Sequence, residues 1–170
     1  MSLRGKSCRL AVLVSVGFVP TFSTGQDTDP EPATIFVGGP AALDVSRAVR
    51  DAVGRLQEPG CQRLLDDFTD REGRPLRESL GVSTPEVYLA RLVLREGEIP
   101  RGSRRCASPG AAAFTAGGAA VFVCGTSFRT LARGARANAL IHEMLHTLGL
   151  RENPPSSAEI TRRVAERCGG

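Results

Sequence analysis

The chain has 170 residues, 22 Lys plus Arg against 18 Asp plus Glu, 41% hydrophobic and 5% aromatic residues, and a mean hydropathy of −0.09. That length supports one domain with a real core, and no internal repeat or low-complexity tract is present. The first 25 residues hold three bases and no acid, so the remainder balances at 19 against 18 and lacks both the charge and the interleaved aromatics of a nucleic-acid surface.

Residues 1–25 have the layout of a secretory signal: Arg4, Lys6 and Arg9 lead, Leu10 to Val19 is apolar, Pro20 breaks the run, and Ser23-Thr24-Gly25 offers small residues for cleavage. The apolar run is too short to span a bilayer comfortably. The expected mature protein starts at Gln26, is secreted or periplasmic, and keeps no stable membrane association; an uncleaved anchor is the alternative. Lys6 is the only lysine, and with the abundant Ala and Gly this reads as the codon bias of a GC-rich bacterial genome. Arg101, Arg104 and Arg105, like Arg162, Arg163 and Arg167, read as solvated faces.

Removing the leader removes Cys8 and leaves Cys61, Cys106, Cys124 and Cys168, an even number that suggests two disulfides in an oxidising compartment. Of the three possible pairings we favour Cys106 with Cys124 and Cys61 with Cys168, and the other two stay open. A zinc site made of these cysteines lacks the short paired spacing of structural zinc motifs.

After a polar tail over 26–32, Ala33 to Val37 reads as a strand ended by Gly38-Gly39-Pro40. Leu43, Val45, Val49, Val53 and Leu56 recur at helical spacing until Pro59-Gly60. A second helical piece is expected at Cys61 to Phe68 and a turn at Asp70 to Pro75. Thr84-Pro85-Glu86 starts a helix with Pro at its first position, and the residues to Leu94 suit that helix or a strand. Glu96 to Gly110 reads as an exposed loop. Strands follow at Ala112 to Thr115 and Ala120 to Cys124, joined by a Gly117-Gly118 hairpin turn. Gly125-Thr126 opens a helical segment that Gly134 is expected to break.

The next helix carries the chemistry. His142-Glu143-Met144-Leu145-His146 is an HExxH signature holding the only two histidines of the chain. Residues four apart stack on one helical face, so both imidazoles can reach one zinc ion with Glu143 beside them as general base. Ala137, Leu140, Ile141, Met144, Leu145 and Leu148 form an apolar arc roughly opposite the histidines, which places the histidines toward a cleft. Gly149 suits a left-handed helix stop. A last helix is announced by Pro154-Pro155-Ser156, where Ser156 and Glu159 have capping-box spacing.

Strands leading into a metal-bearing helix, a turn and a last helix imply an α+β fold, with a short, mostly antiparallel sheet packed on helices. Over Leu140 to Glu152 the chain resembles the zincin metallopeptidases, in the form HExxHxxGxxE. The resemblance implies a zincin-like domain over 33–170 in which the edge strand, Ala120 to Cys124, holds an extended peptide over zinc. The metzincin branch has His at the third ligand position, where this chain has Glu152, and no methionine follows Met144 to form the turn found beneath the metal in that branch. A His2Glu set is an accepted catalytic combination, so Glu152 is ranked first as third ligand. Gluzincins take a Glu from a later helix, which keeps Glu159 and then Glu166 as alternatives.

The function so implied is a secreted zinc hydrolase acting on a peptide or protein substrate, with metal ligands His142, His146 and Glu152 and with Glu143 as base. Tyr88, the single tyrosine, is either an oxyanion helper or a core aromatic. The alternatives are an inactive secreted binding domain that retains the scaffold, and a structural protein without metal.

Overall fold

The computed structural model describes residues 33–81, 83–98 and 104–169. The leader at 1–25, the tail at 26–32 and Arg101 therefore lie outside the described residues. Strand β1 (Thr34–Phe36) leads into helix α1 (Ala41–Gln57), which buries Val45, Ala48, Val49, Ala52 and Leu56. Leu43, expected on this stripe, is 67% exposed. At about 100° per residue it falls 200° from Val45, on the opposite side of the helix.

The piece expected at Cys61 to Phe68 is shorter and tighter: α2 (Pro59–Gln62) followed by a 3-10 turn (Arg63–Leu65). Asp70 then closes the predicted turn, its carboxylate accepting the backbone N–H groups of Glu72 and Arg74, each at 2.9 Å. A short helix not read from the sequence follows, α3 (Leu76–Ser79). The ambiguous stretch to Leu94 contains both candidates in turn, α4 (Pro85–Ala90) and then β2 (Val93–Glu96).

The hairpin forms as β3 (Ala113–Thr115) and β4 (Ala120–Val123), but the sheet order is β1-β2-β4-β3. Two of its three pairings are parallel, β1 with β2 and β2 with β4, so the expected mostly antiparallel sheet is corrected to a mixed one. Helical crossovers between β1 and β2 make those two strands run the same way. The loop after β2 then carries the chain out to the edge before the hairpin returns β4 between β2 and β3. Ala120–Val123 is therefore internal, and the edge strand on this side is β3.

Gly125 opens α5 (Gly125–Thr130), and the break before α6 (Arg133–Thr147) falls at Leu131-Ala132, both extended, not at Gly134. Gly134 sits inside the first turn, where its carbonyl accepts from Arg55 at 3.1 Å. Helix α6 packs on α1, β3, β4 and on the final helix α7 (Ser157–Cys168). The apolar arc expected on α6 is buried throughout, Ala137, Ile141, Met144 and Leu145 completely. Among the described residues, no helix is long and apolar enough to cross a membrane.

Both favoured disulfides are present, Cys61–Cys168 tying α7 to α2 across 107 residues of sequence and Cys106–Cys124 tying the loop after β2 to the end of β4 across 18. They are compatible with an oxidising compartment. A crosslink stabilises mainly by restricting the unfolded chain, and more so for a longer loop. Replacing Cys61 and Cys168 by Ser is expected to lower the unfolding free energy by about 5 kcal/mol, and replacing Cys106 and Cys124 by about 3 kcal/mol. Denaturant unfolding of the two double variants checks this, and a larger loss from the second pair contradicts it.

Candidate metal centre

Helix α6 ends in a Schellman closure. The Gly149 N–H donates to the His146 carbonyl and the Leu150 N–H to the Leu145 carbonyl, each at 3.1 Å, with Gly149 at φ +109°. The closure turns the chain back across the histidine face. The Leu150 carbonyl then accepts from His146 Nδ1 at 2.9 Å, and Glu152 swings in beside both rings.

A carbonyl can only accept, so the neutral His146 ring carries its proton on Nδ1 and turns an unprotonated Nε2 inward. His142 Nε2 lies 3.0 Å from that nitrogen, and Glu152 Oε1 lies 3.7 Å from His142 Nε2 and 3.4 Å from His146 Nε2. These three side chains form the one group able to hold a metal ion among the described residues. Tetrahedral zinc with bonds of about 2.0–2.1 Å sets its ligands about 3.3 Å apart, and the observed separations bracket that value. Two imidazoles and a carboxylate are also a suitable donor set for zinc, so the residues fit the ion.

The outer nitrogen of the other ring is held as well, His142 Nδ1 lying 3.1 Å from Thr161 Oγ1 on α7. The hydroxyl can accept from Nδ1–H when Nε2 faces a cation, or donate to Nδ1 when Nε2 holds the proton. Such outer partners orient ligand rings and fix their tautomers. Burial, and then the neighbouring His146, push the His142 pKa down to about 4, so this ring is neutral near pH 7.

Glu143 faces the other way around the helix, toward β3. Burial, reinforced by the Glu152 charge, pushes its pKa up to about 7 against the pull of the Thr115 backbone N–H and Arg105. His142 and Glu143 are the only polar side chains classed with the buried core among the described residues. Burying such groups costs stability, and perturbed groups of this kind cluster where chemistry is done.

The rings, both carboxylates, β3 and the start of α7 line one cleft of about 840 Å³. The alternative ligands stand elsewhere. Glu159 is exposed in the first turn of α7, where its N–H donates to Ser156 Oγ at 3.2 Å, and Glu166 pairs with Arg162. Tyr88 does not line the cleft; it packs against the core and donates to Thr147 Oγ1 at 3.2 Å. Arg105 is exposed, as expected, and also lines the cleft: its Nη1 donates to the Thr115 carbonyl at 2.5 Å and its guanidinium lies 5.2 Å from the Phe114 ring centroid. Arg104 is exposed as expected, Arg163 and Arg167 pair with Asp67, and Arg162 pairs with Glu166. Sequence reasoning missed Arg105, Thr115 and Thr161, whose roles depend on sheet order and on the return of α7.

Comparison of the chain with family models, characterised proteins and solved structures gives no significant match.

The two buried groups act oppositely on stability. Between about pH 4.5 and 7 folded Glu143 keeps a proton that the unfolded chain has released, so its contribution falls as pH rises. Between about pH 4 and 6.5 the unfolded chain binds a proton that folded His142 refuses, so that contribution rises with pH. Glu143→Gln removes only the first effect. In chelator, the variant is expected to match the parent near pH 4 and to exceed it by as much as about 3 kcal/mol at pH 8. Denaturant unfolding at both pH values checks this, and an equal difference at both contradicts it.

Proposed function

We propose that the chain is an exported zinc-dependent hydrolase of peptide bonds, with His142, His146 and Glu152 as ligands and Glu143 as general base. The observation that carries the reading is the placement of Glu143, a buried carboxyl, in the same cleft as three converging metal donors. A carboxylate so placed is within reach of a metal-held water as its proton acceptor. Zinc held by this set would supply Lewis-acid activation of a water and of a scissile carbonyl.

The chain's own residues do the rest. Glu143 takes the proton of the attacking water on its carboxylate and passes it to the leaving amine. Thr115 and Arg105 favour the ionised form of that carboxyl, and Leu150 and Thr161 hold the ring nitrogens that point away from the centre. The adjoining strand β3 lies at the sheet edge along the cleft, where an extended peptide can lie beside it. The two disulfides and the signal-like leader support export.

Zinc titration of the full chain is expected to give one equivalent bound. Glu152→Ala should weaken that binding at least tenfold, whereas Glu159→Ala and Glu166→Ala should not. Glu143→Gln should keep the metal and reduce cleavage of denatured casein or a quenched peptide mixture by a thousandfold or more. Full activity in Glu143→Gln sinks the base assignment, and stoichiometric zinc with no cleavage by the parent favours a binding domain instead.

A further inference from the structure

The cleft contains one charge that the proposed hydrolysis does not use. Arg105 is the only arginine among its lining residues, and no described carboxylate lies within 4.0 Å of its guanidinium. Other described arginines, Arg55 and Arg95 among them, also have no acid partner within that distance, but none of them lines the cleft.

Arg105 is nonetheless held in place. Its neighbour Cys106 is bonded to Cys124 at the end of β4, which fixes the backbone from which the side chain leaves. The Phe114 ring lies beneath its guanidinium and the Thr115 carbonyl takes one of its five N–H donors. The remaining donors keep a planar fork suited to a carboxylate.

The cleft lining points the same way: outside the three donors and Glu143, Arg105 is its one charged side chain. Most of the other lining is neutral and small, including Ala112, Ala113, Ala135, Ala139 and Ala165. Nothing else there would select a substrate by charge.

We infer that Arg105 is a carboxylate-binding residue of the cleft, so that the peptides favoured here carry a carboxylate on the β3 side of the reacting centre. It comes from an acidic side chain or from a free C-terminus. The inference rests on the reading of the cleft as a peptide site, and Arg105 acts in it as a specificity residue.

The test uses zinc-loaded full chain carrying Glu143→Gln, which binds without turnover, and blocked peptides of equal length. One series places Glu or Gln at each position in turn, and a second compares C-terminal acid with amide. Affinity is read by calorimetry, with hydrolysis by the parent followed in parallel on the same peptides. At least one acidic member is expected to bind tenfold or more tighter than its neutral twin. Adding Arg105→Gln should reduce that ratio below twofold, Arg105→Lys should retain part of it, and Arg105→Glu should turn the preference toward a Lys-containing peptide. A preference in the first series assigns the carboxylate to a side chain, and one in the second assigns it to the C-terminus. The inference is overturned by equal binding of the twins, by no binding of either, or by a ratio that Arg105→Gln leaves unchanged. Arg105-dependent binding with no hydrolysis by the parent defeats the hydrolase reading and leaves the inference standing.

Discussion

The closure of α6 at Gly149 is the constraint on which the rest of the site depends. A side chain at φ +109° is strained, and an added Cβ would sit 3.2 Å from Asp70 Cβ, so both the backbone and its surroundings require glycine there. Asp70 is itself fixed by the turn it closes with Glu72 and Arg74. That distant turn therefore buttresses the one beside the histidines. Three results follow from the closure: the Leu150 carbonyl meets His146, Glu152 meets both Nε2 atoms, and the chain is set on the path that returns as α7. The donor set is contained within 142–152, so one rigid local segment preorganises it without any long-range closure.

What the local segment leaves open, tertiary packing completes. Ile160 and Val164 are fully buried, and they hold α7 so that Thr161 reaches His142. The Cys61–Cys168 bridge pins the far end of that helix, and the Arg167 pairing with Asp67, at 2.8 Å and 3.0 Å, reinforces the same junction. The small sheet contributes differently: Thr115 pulls on the Glu143 carboxyl and its carbonyl steadies Arg105. Helix and sheet thus share the site, α6 with its closure carrying the three candidate donors and the sheet flanking Glu143.

The legible parts of this structure are the local ones. HExxH followed by Gly149 and Glu152 states its geometry in residue spacing, and the helix bearing it is written in the period of its apolar arc. The hairpin was equally plain from Gly117-Gly118, both at positive φ in the structure. Strand order was not legible, because nothing in Ala120–Val123 states that the strand is inserted between β2 and β3. Its residues Val121 and Val123 are buried while Ala120 and Phe122 are half-buried, an alternation that an edge strand shares. Arg105 is exposed, as its place in an arginine cluster with Arg104 suggests, but only the position of β3 brings it over Phe114 and into the cleft lining. Leu43 was misread, an apolar residue counted onto a helical stripe from which its angle excludes it.

The edge strand also limits how a ligand chain can lie in the cleft. In an antiparallel pair, alternate residues turn their backbone groups toward and away from the partner. The Cys124 N–H donates to the Ala112 carbonyl, and Phe114 lies opposite Phe122, so Ala113 and Thr115 turn theirs outward. At Thr115 the carbonyl is taken by Arg105, and the N–H lies on the side from which Thr115 pulls on the Glu143 carboxyl. These contacts blunt the edge against pairing with other chains. A peptide laid along β3 would therefore find its open backbone pair at Ala113, one strand repeat from the residue that pulls on Glu143. Pairing restricted to one residue confines where the peptide backbone can bond, and a slip by one position would turn every side chain of the peptide to the opposite face. The arrangement that quiets the edge thus also limits where a peptide backbone could pair relative to Glu143.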